Sequence, residues 1–192
     1  MPAPRASSRR RHILSIDDAP FDKFKDDEVL VVGVVTAGPG LLEGVLTTRL
    51  PVDGEGATEA LAGWIRRSRF FPSLRAVFLE GITIAGLSVV DLPALHGRTR
   101  LPVISVDRRL PRPGRLEKTL EKLGWEDRIP SVHAAAPFHE FEGIFFTCAG
   151  ATPEEARTLL AENRGRSRLP EGIRLAHLVG QALVLGESRG RA

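Results

Sequence analysis

The stretch Ser15-Ile16-Asp17-Asp18-Ala19-Pro20-Phe21 places two adjacent carboxylates directly after a short apolar run. That run predicts a strand over residues 12–17, which ends before Pro20 because proline cannot donate a ladder hydrogen bond. Successive strand residues point to opposite faces, so one aspartate can face a cleft while the other faces solvent or a neighbouring turn. A strand-borne carboxylate suits a divalent cation, since hard cations take oxygen ligands. A solvated turn with an Asx cap is the alternative interpretation.

Around this stretch, the predicted elements begin with an antiparallel meander and continue as alternating helices and strands. Valine-rich residues 28–36 and residues 41–50 form a predicted hairpin around Gly38-Pro39-Gly40. The remaining pattern predicts strands over 74–79, 102–106 and 141–148, and helices over 58–68, 89–95, 115–123, 152–163 and 172–185. A meander followed by crossover units gives a mixed α/β sheet flanked by helices, the element order of ribonuclease H-like nuclease folds.

Length and composition indicate one globular domain with a short tail. The chain has 192 residues, of which 42% are hydrophobic and 27% are charged. Residues 1–11 are predicted to form a disordered basic arm, and residues 12–192 a single domain. We expect a cytoplasmic protein that does not enter a membrane, because no apolar run is long enough to span a bilayer and no signal-peptide core follows the basic arm. The single Cys148 excludes an internal disulfide and a cysteine-based zinc site.

Arginines are clustered in the sequence, although the net charge is only +3. The sequence pI is about 9.6. The clusters lie at residues 9–11, 66–69, 108–115 and 164–168. Guanidinium clusters suit phosphate backbones and predict a nucleic-acid partner, DNA or RNA. Codon bias combined with solvated loops explains the same clusters equally well.

Acidic residues occur at three predicted strand ends or helix starts: Asp17-Asp18, Asp53-Gly54-Glu55 and Glu80-Gly81. If the first and fourth strands are neighbours, Asp17 and Glu80 lie side by side, and Glu55 can close the cluster. Converging carboxylates repel one another unless a cation neutralises them, so Asp17, Glu80, Glu55 and Asp53 are candidate ligands of Mg²⁺ or Mn²⁺. Such an ion could orient water for attack on phosphate. Alternatively, Asp53 caps a helix, Glu55 favours its dipole and Glu80 is a turn acid.

His177 lies within the last predicted helix, in the run Ile173-Arg174-Leu175-Ala176-His177. It is a candidate general base or phosphate contact, because its ordinary pKa lies near neutrality. A structural histidine bonded to nearby backbone is the alternative interpretation. The candidate catalytic residues are therefore Asp17, Glu55, Glu80 and His177.

Several short motifs, taken in order along the chain, are similar to those of one known family. They are Ser15 to Phe21, Val52-Asp53-Gly54 with Ala57-Thr58, Leu79-Glu80-Gly81-Ile82, Ala85-Gly86 through Val89-Val90-Asp91, Pro102-Val103-Ile104, and Ile173 to His177 with Gly186-Glu187-Ser188-Arg189. Together they resemble the domain of unknown function 99 family, mainly archaeal proteins considered distant relatives of endonuclease V. The resemblance extends from His12 to Arg191 and implies a ribonuclease H-like, endonuclease V-like fold.

The resemblance also implies Mg²⁺-dependent cleavage of a phosphodiester bond near a deaminated base such as inosine. By position, Asp17 matches the metal-binding aspartate of the first strand, and Glu80 stands where endonuclease V has an aspartate before glycine. The helix-start carboxylate of endonuclease V falls at Gly56, next to Glu55. The histidine that precedes a later helix in endonuclease V is replaced here by Gly150-Ala151.

Three functional hypotheses follow from these observations. The first is a metal-dependent nuclease that acts on phosphodiester bonds of DNA or RNA. The second is a catalytically inactive nucleic-acid-binding protein on a nuclease scaffold, which would bind in a salt-sensitive manner without turnover. The third is a domain that binds a small molecule or another partner. Clustered carboxylates beside an arginine-rich groove favour the first hypothesis, and dispersed carboxylates favour the other two.

Overall fold

The computed structural model describes residues 11–189, so all but Arg11 of the predicted basic arm lies outside the described residues. Nine strands and six α-helices are present in this part of the chain. The strands are β1 (His12–Asp18), β2 (Glu28–Thr36), β3 (Leu42–Pro51), β4 (Leu74–Glu80), β5 (Thr83–Ile84), β6 (Ser88–Val89), β7 (Val103–Asp107), β8 (His139–Phe141) and β9 (Ile144–Ala149). The helices are α1 (Ala57–Arg67), α2 (Leu92–Thr99), α3 (Arg115–Leu123), α4 (Ile129–Ala134), α5 (Pro153–Glu162) and α6 (Glu171–Leu185).

Seven of the strands form one mixed sheet in the order β3-β2-β1-β4-β7-β9-β8. The first three strands are an antiparallel meander. β4 and β7 follow parallel to β1, and β9 is antiparallel to β7. The predicted mixed α/β sheet is therefore confirmed, and β1 and β4 are neighbours, which is the condition under which Asp17 and Glu80 were expected to lie side by side. Ile16 is paired with Leu79, so the next residues, Asp17 and Glu80, lie at the same end of the sheet.

Helices cover both faces of the sheet. The side chains of β1 alternate between these two faces, so they pack against helices on each side. Leu14 and Ile16 belong to the apolar cluster that contains Leu61 and Ile65 of α1. Ile13 belongs to the cluster on the other face, which contains Ile173 of α6. Asp17 is four residues after Ile13 and shares its face, so it lies on the side that α6 covers. Among residues 11–189, no helix is long and apolar enough to cross a membrane.

Several elements differ from the sequence prediction. The strand predicted over residues 141–148 is split into β8 and β9 by a turn in which Glu142 and Gly143 both have positive φ, 48° and 80°. The helix predicted over residues 89–95 begins only at Leu92, because the Asp91 side chain caps it by accepting from the Ala94 N–H at 2.7 Å. Helix α4 lies in a region for which no element was predicted, and it contains Pro130 in its first turn.

The close approach of α6 to β1 at Gly172 gives a test of the packing that positions the site. A Cβ at Gly172 would lie 2.9 Å from the Ser15 Cβ, which is too close for either atom to stay in place. We expect Gly172→Ala to lower the free energy of unfolding by about 1–3 kcal/mol, because overpacking must move α6 or the strand. Urea denaturation with far-ultraviolet circular dichroism measures this change.

The matched control for this prediction is Gly97→Ala in α2. No atom lies within 4 Å of a Cβ built at Gly97, and its φ is not in the left-handed region. Alanine there is expected to leave stability unchanged or to raise it by up to about 1 kcal/mol, since it restricts the unfolded chain. An equal loss of stability in both variants would contradict the packing explanation.

Candidate metal centre

Asp17, Glu80 and His177 converge at the carboxyl ends of β1 and β4. Each offers one ligand atom, and these atoms lie within 4.8 Å of one another. The pairing of β1 with β4 brings the two carboxylates together, and the packing of α6 over β1 adds the histidine. Asp17 is buried, and the other two side chains are partly exposed. The structure thus brings together three of the residues that the sequence named as candidates.

A hydrogen-bond chain determines the orientation of His177. The backbone N–H of Arg189 donates to Gln181 Oε1 at 2.8 Å, which leaves the Gln181 amide nitrogen facing His177 Nε2 at 3.0 Å. Nε2 therefore accepts, and the neutral ring carries its proton on Nδ1, which lies 3.0 Å from Asp17 Oδ2. This hydrogen bond, aided by the charge of Asp17, raises the pKa of His177. Because a protonated Nδ1 has no free lone pair for a cation, the geometry supports His177 as the residue that orients Asp17.

The carboxylates at this end of the sheet carry more negative charge than the surrounding protein compensates. Burial, followed by the charge of Asp17, raises the pKa of Glu80 to about 7. The Arg108 guanidinium opposes this shift, with its Nε 3.5 Å from Glu80 Oε1. Burial and then Asp17 also raise the pKa of Asp18 to about 6. A bound cation would relieve the same repulsion, so this electrostatic arrangement suits a divalent metal.

Asp18 lines the same cavity as the metal centre but binds a loop. Its Oδ2 accepts from the Ala85 N–H at 2.6 Å, which ties the end of β1 to the hairpin formed by β5 and β6. Ala85 lies in the turn between β5 and β6. Because side chains alternate along the first strand, one of its two aspartates was expected to face solvent or such a neighbouring turn. Asp18 therefore has a structural partner, whereas Asp17 faces the cluster.

Asp53 and Glu55 lie outside the cluster. The Asp53 Oδ1 accepts from the Leu87 N–H at 2.7 Å, and the Asp53 carbonyl accepts from the Arg128 guanidinium at 2.8 Å. Glu55 lines a separate cavity of about 320 Å³ at the start of α1. Among residues 11–189, neither residue belongs to a group of three or more potential metal ligands. Their role as ligands stays a prediction that this geometry does not support.

Asp107 is a further, partly buried acid that the sequence analysis did not select. It ends β7 beside β4, and its Oδ2 is buried without a hydrogen-bond partner among the described residues. Burial raises its pKa to about 6. The signal that could have found it is the pattern of Asp17 and Glu80, an acid at the end of a buried strand. The predicted strand stopped at Val106, one residue too early.

Two adjacent cavities lie at the metal centre. The first has a volume of about 520 Å³ and is lined by Asp17, Glu80 and His177 among others. A larger groove of about 1170 Å³ adjoins it. Three residues line both cavities: Phe21, Thr83 and Gly86. The larger groove therefore lies next to the carboxylates of the metal centre.

Comparison with solved structures shows that this is an endonuclease V-like fold. The endonuclease V of Bacillus subtilis superimposes with a TM-score of 0.62 at 11% identity, over 92% of this chain and 81% of that one. The Ciona intestinalis endonuclease V, in complex with DNA containing an inosine followed by a ribo-adenosine, gives a TM-score of 0.56 at 14% identity, over 86% and 82%. A protein from Archaeoglobus fulgidus gives 0.84 at 36% identity, over 90% and 98%.

Within this fold class, the chain belongs to the endonuclease dU family, whose model matches residues 9–184. A UPF0215 protein of Methanothermobacter thermautotrophicus is 40% identical over 185 residues, which is 94% of this chain and 91% of the relative. A UPF0215 protein of Deinococcus radiodurans is 37% identical over 193 residues, covering 100% of this chain and 98% of the relative. The motif resemblance therefore identified the same kind of family, and it predicted the endonuclease V-like fold correctly.

Proposed function

We propose that this protein is a divalent-cation-dependent endonuclease that cleaves a phosphodiester bond of DNA beside a deaminated base. The convergence of Asp17 and Glu80 at one end of an endonuclease V-like sheet is the observation that carries this proposal. The family name, endonuclease dU, makes deoxyuridine the first base to test. The inosine-containing DNA bound to the Ciona intestinalis enzyme supports the same class of base.

The donor set at the sheet end fits Mg²⁺ or Mn²⁺. Asp17 and Glu80 supply carboxylate oxygens, which hard cations prefer. Burial and then the charge of Asp17 raise the pKa of Glu80, and a cation would favour the ionised carboxylate. When bound, such an ion stabilises charge on a phosphate and lowers the pKa of bound water. Asp53 and Glu55 would have to move to join these ligands, so we assign the cation to Asp17 and Glu80.

The neighbouring residues have positioning roles in this proposal. His177 holds the Asp17 carboxylate in one orientation through its Nδ1 proton, and Gln181 fixes the ring. The side chain of Arg108 is 47% exposed, so it can donate to a phosphate while it stays beside Glu80. Clustered carboxylates beside an arginine-rich groove are the arrangement that favours a nuclease over the other hypotheses.

The test is a cleavage assay on an end-labelled oligonucleotide with one deoxyuridine, in single-stranded and duplex form. We expect a nick near the deoxyuridine that needs Mg²⁺ or Mn²⁺, disappears with EDTA and requires no alkali treatment. The thymidine oligonucleotide of the same sequence is the control and stays intact. Absence of cleavage in both metals on deoxyuridine and inosine strands would refute the proposal.

Nucleic-acid binding without cleavage is a second candidate function, favoured by the five cationic side chains of the larger groove. These charges attract phosphate whether or not a cation is bound at the carboxylates. Salt-sensitive binding of the same oligonucleotides in EDTA, together with no cleavage after metal is added, would identify this function instead.

A further inference from the structure

The larger groove beside the metal centre is strongly cationic. Its walls carry five lysine or arginine side chains and two aspartates. The cationic residues are Lys23, Arg109, Arg112, Arg115 and Lys122, and the acidic ones are Asp53 and Asp107. Five positive charges against two negative ones leave the groove with an excess of positive charge. The charge balance suits an anionic polymer.

Apolar side chains stand between these cations and are open to solvent. Phe24 is 85% exposed on one wall, and Leu110 and Leu123 are 54% and 47% exposed on the other. These large apolar groups are exposed within a cationic groove, where a ligand can cover them. The bases of a nucleic acid can supply such a partner, because each base has a flat apolar face.

The turn that presents Phe24 is held in place by its own hydrogen bonds. Asp22 Oδ1 accepts from the Phe24 N–H at 3.0 Å, and Asp22 Oδ2 pairs with the Lys25 ammonium at 3.0 Å. Lys23 lies with its Nζ 4.8 Å from the centroid of the Phe24 ring. An ammonium thus lies over one face of an exposed aromatic ring in the groove, and the combination of aromatic and cationic groups suits a base and its phosphate.

We propose that this groove binds an unpaired strand of the nucleic acid, with a base stacked on Phe24 and phosphates bound by Arg112 and Arg115. The inference rests on the proposed function, because the groove adjoins the cavity of the metal centre and shares Phe21 and Thr83 with its lining. A strand lying in it would lead its backbone to Asp17 and Glu80. The substrate class is therefore DNA that is single-stranded or locally unpaired.

A continuous duplex would use this groove poorly. The outside of a duplex presents phosphates and sugars, while the base faces are stacked inside it. A duplex could satisfy the arginines but would leave Phe24 and Leu110 facing a charged backbone. The pairing of exposed aromatic and cationic groups is the reason for choosing the unpaired strand.

The experiment measures binding in EDTA, so that cleavage and metal binding do not contribute. Fluorescence anisotropy compares a labelled single strand with the blunt duplex of the same sequence, over a range of salt concentrations. We expect the single strand to bind more tightly, and Phe24→Ala to weaken single-strand binding roughly 10-fold while affecting the duplex much less. The Arg112→Ala/Arg115→Ala double variant should reduce the salt slope of single-strand binding by about 1.4, the contribution of two phosphates.

Matched controls are Leu183→Ala, which removes another exposed apolar side chain, and Arg66→Ala/Arg67→Ala on α1. Both should bind like the wild type, and thermal melting checks that every variant is folded. Equal or tighter binding of the duplex, or an unaffected Phe24→Ala variant, would overturn the inference. Retained single-strand preference with no cleavage in any metal would instead refute the proposed function and leave the strand-binding groove standing.

Discussion

Asp17→Asn is expected to abolish cation-dependent cleavage and to leave the protein folded. The substitution keeps the size of the side chain and removes the charge that lies between Glu80 and the His177 ring. A cation bound by two carboxylates would lose half of the negative charge that the protein supplies to it. We therefore expect the cleavage rate to fall on the order of 10³-fold or more. Single-turnover cleavage in Mn²⁺ measures this effect.

The fold should survive because the amide oxygen of the substituted side chain can still accept a hydrogen bond from His177. In the wild type, the charge of Asp17 raises the pKa values of both Glu80 and Asp18. Removing this charge relieves repulsion, so the melting temperature without cation should be unchanged or higher. Calorimetric titration with Mn²⁺ should show heat in the wild type that disappears in the variant. Full cleavage by a folded Asp17→Asn protein would exclude Asp17 as a metal ligand.

The control variant is Asp27→Asn, which makes the same chemical change at an exposed aspartate between β1 and β2. Asp27 lines none of the cavities around the metal centre, so this variant should cleave and bind Mn²⁺ like the wild type. A loss in both variants would mean that total charge, rather than the position of Asp17, controls the activity.

The positions of Asp17 and Glu80 at strand ends could be predicted from sequence, because each acid ends an apolar run. Their proximity also required β1 and β4 to be neighbours, which the sequence left as a condition and the structure shows. The contact of His177 with Asp17 joins residues 160 positions apart. Its partner could not be predicted, because it depends on how closely α6 packs on β1 at Gly172.

The acids at positions 53 and 55 show what the sequence pattern leaves open. An acid beside glycine after a strand has the same appearance whether it binds a cation or a backbone N–H. Asp53 has a positive φ of 54°, and its side chain accepts a hydrogen bond from the Leu87 N–H. This hydrogen bond depends on the hairpin of β5 and β6, because Leu87 lies in its turn. Asp107 was missed for the opposite reason. The predicted strand ended at Val106, one residue before this partly buried acid, so Asp107 was not recognised as an acid at a strand end.

Without a cation, the protein is expected to lose stability as the pH rises from about 5 to about 8. Glu80 has a pKa of about 7, and Asp18 and Asp107 have pKa values of about 6, all above their ordinary values near 4. In this window the folded state holds more protons than the unfolded state, so raising the pH favours unfolding. The raised pKa of His177 acts in the same direction, because its contribution is lost as the pH rises through the folded value.

Glu80 makes the largest single contribution to this pH dependence. Its shift corresponds to a change in unfolding free energy on the order of 2–3 kcal/mol, allowing for partial screening by solvent. Glu80→Gln removes the titrating group, so at pH 8 the variant should be more stable than the cation-free wild type. At pH 5 the two proteins should differ little. Urea denaturation in EDTA across this pH range measures both differences.

Addition of Mn²⁺ should reverse the pH trend in the wild type. A cation needs deprotonated carboxylates, so the stabilisation by a fixed Mn²⁺ concentration should be larger at pH 8 than at pH 5. Glu80→Gln should show little stabilisation at either pH, whereas Glu121→Gln, at an exposed position on α3, should behave like the wild type. A wild-type stability that does not change over this pH range would contradict the raised pKa values. An equal response of Glu80→Gln to Mn²⁺ would show that Glu80 is not a ligand of the cation.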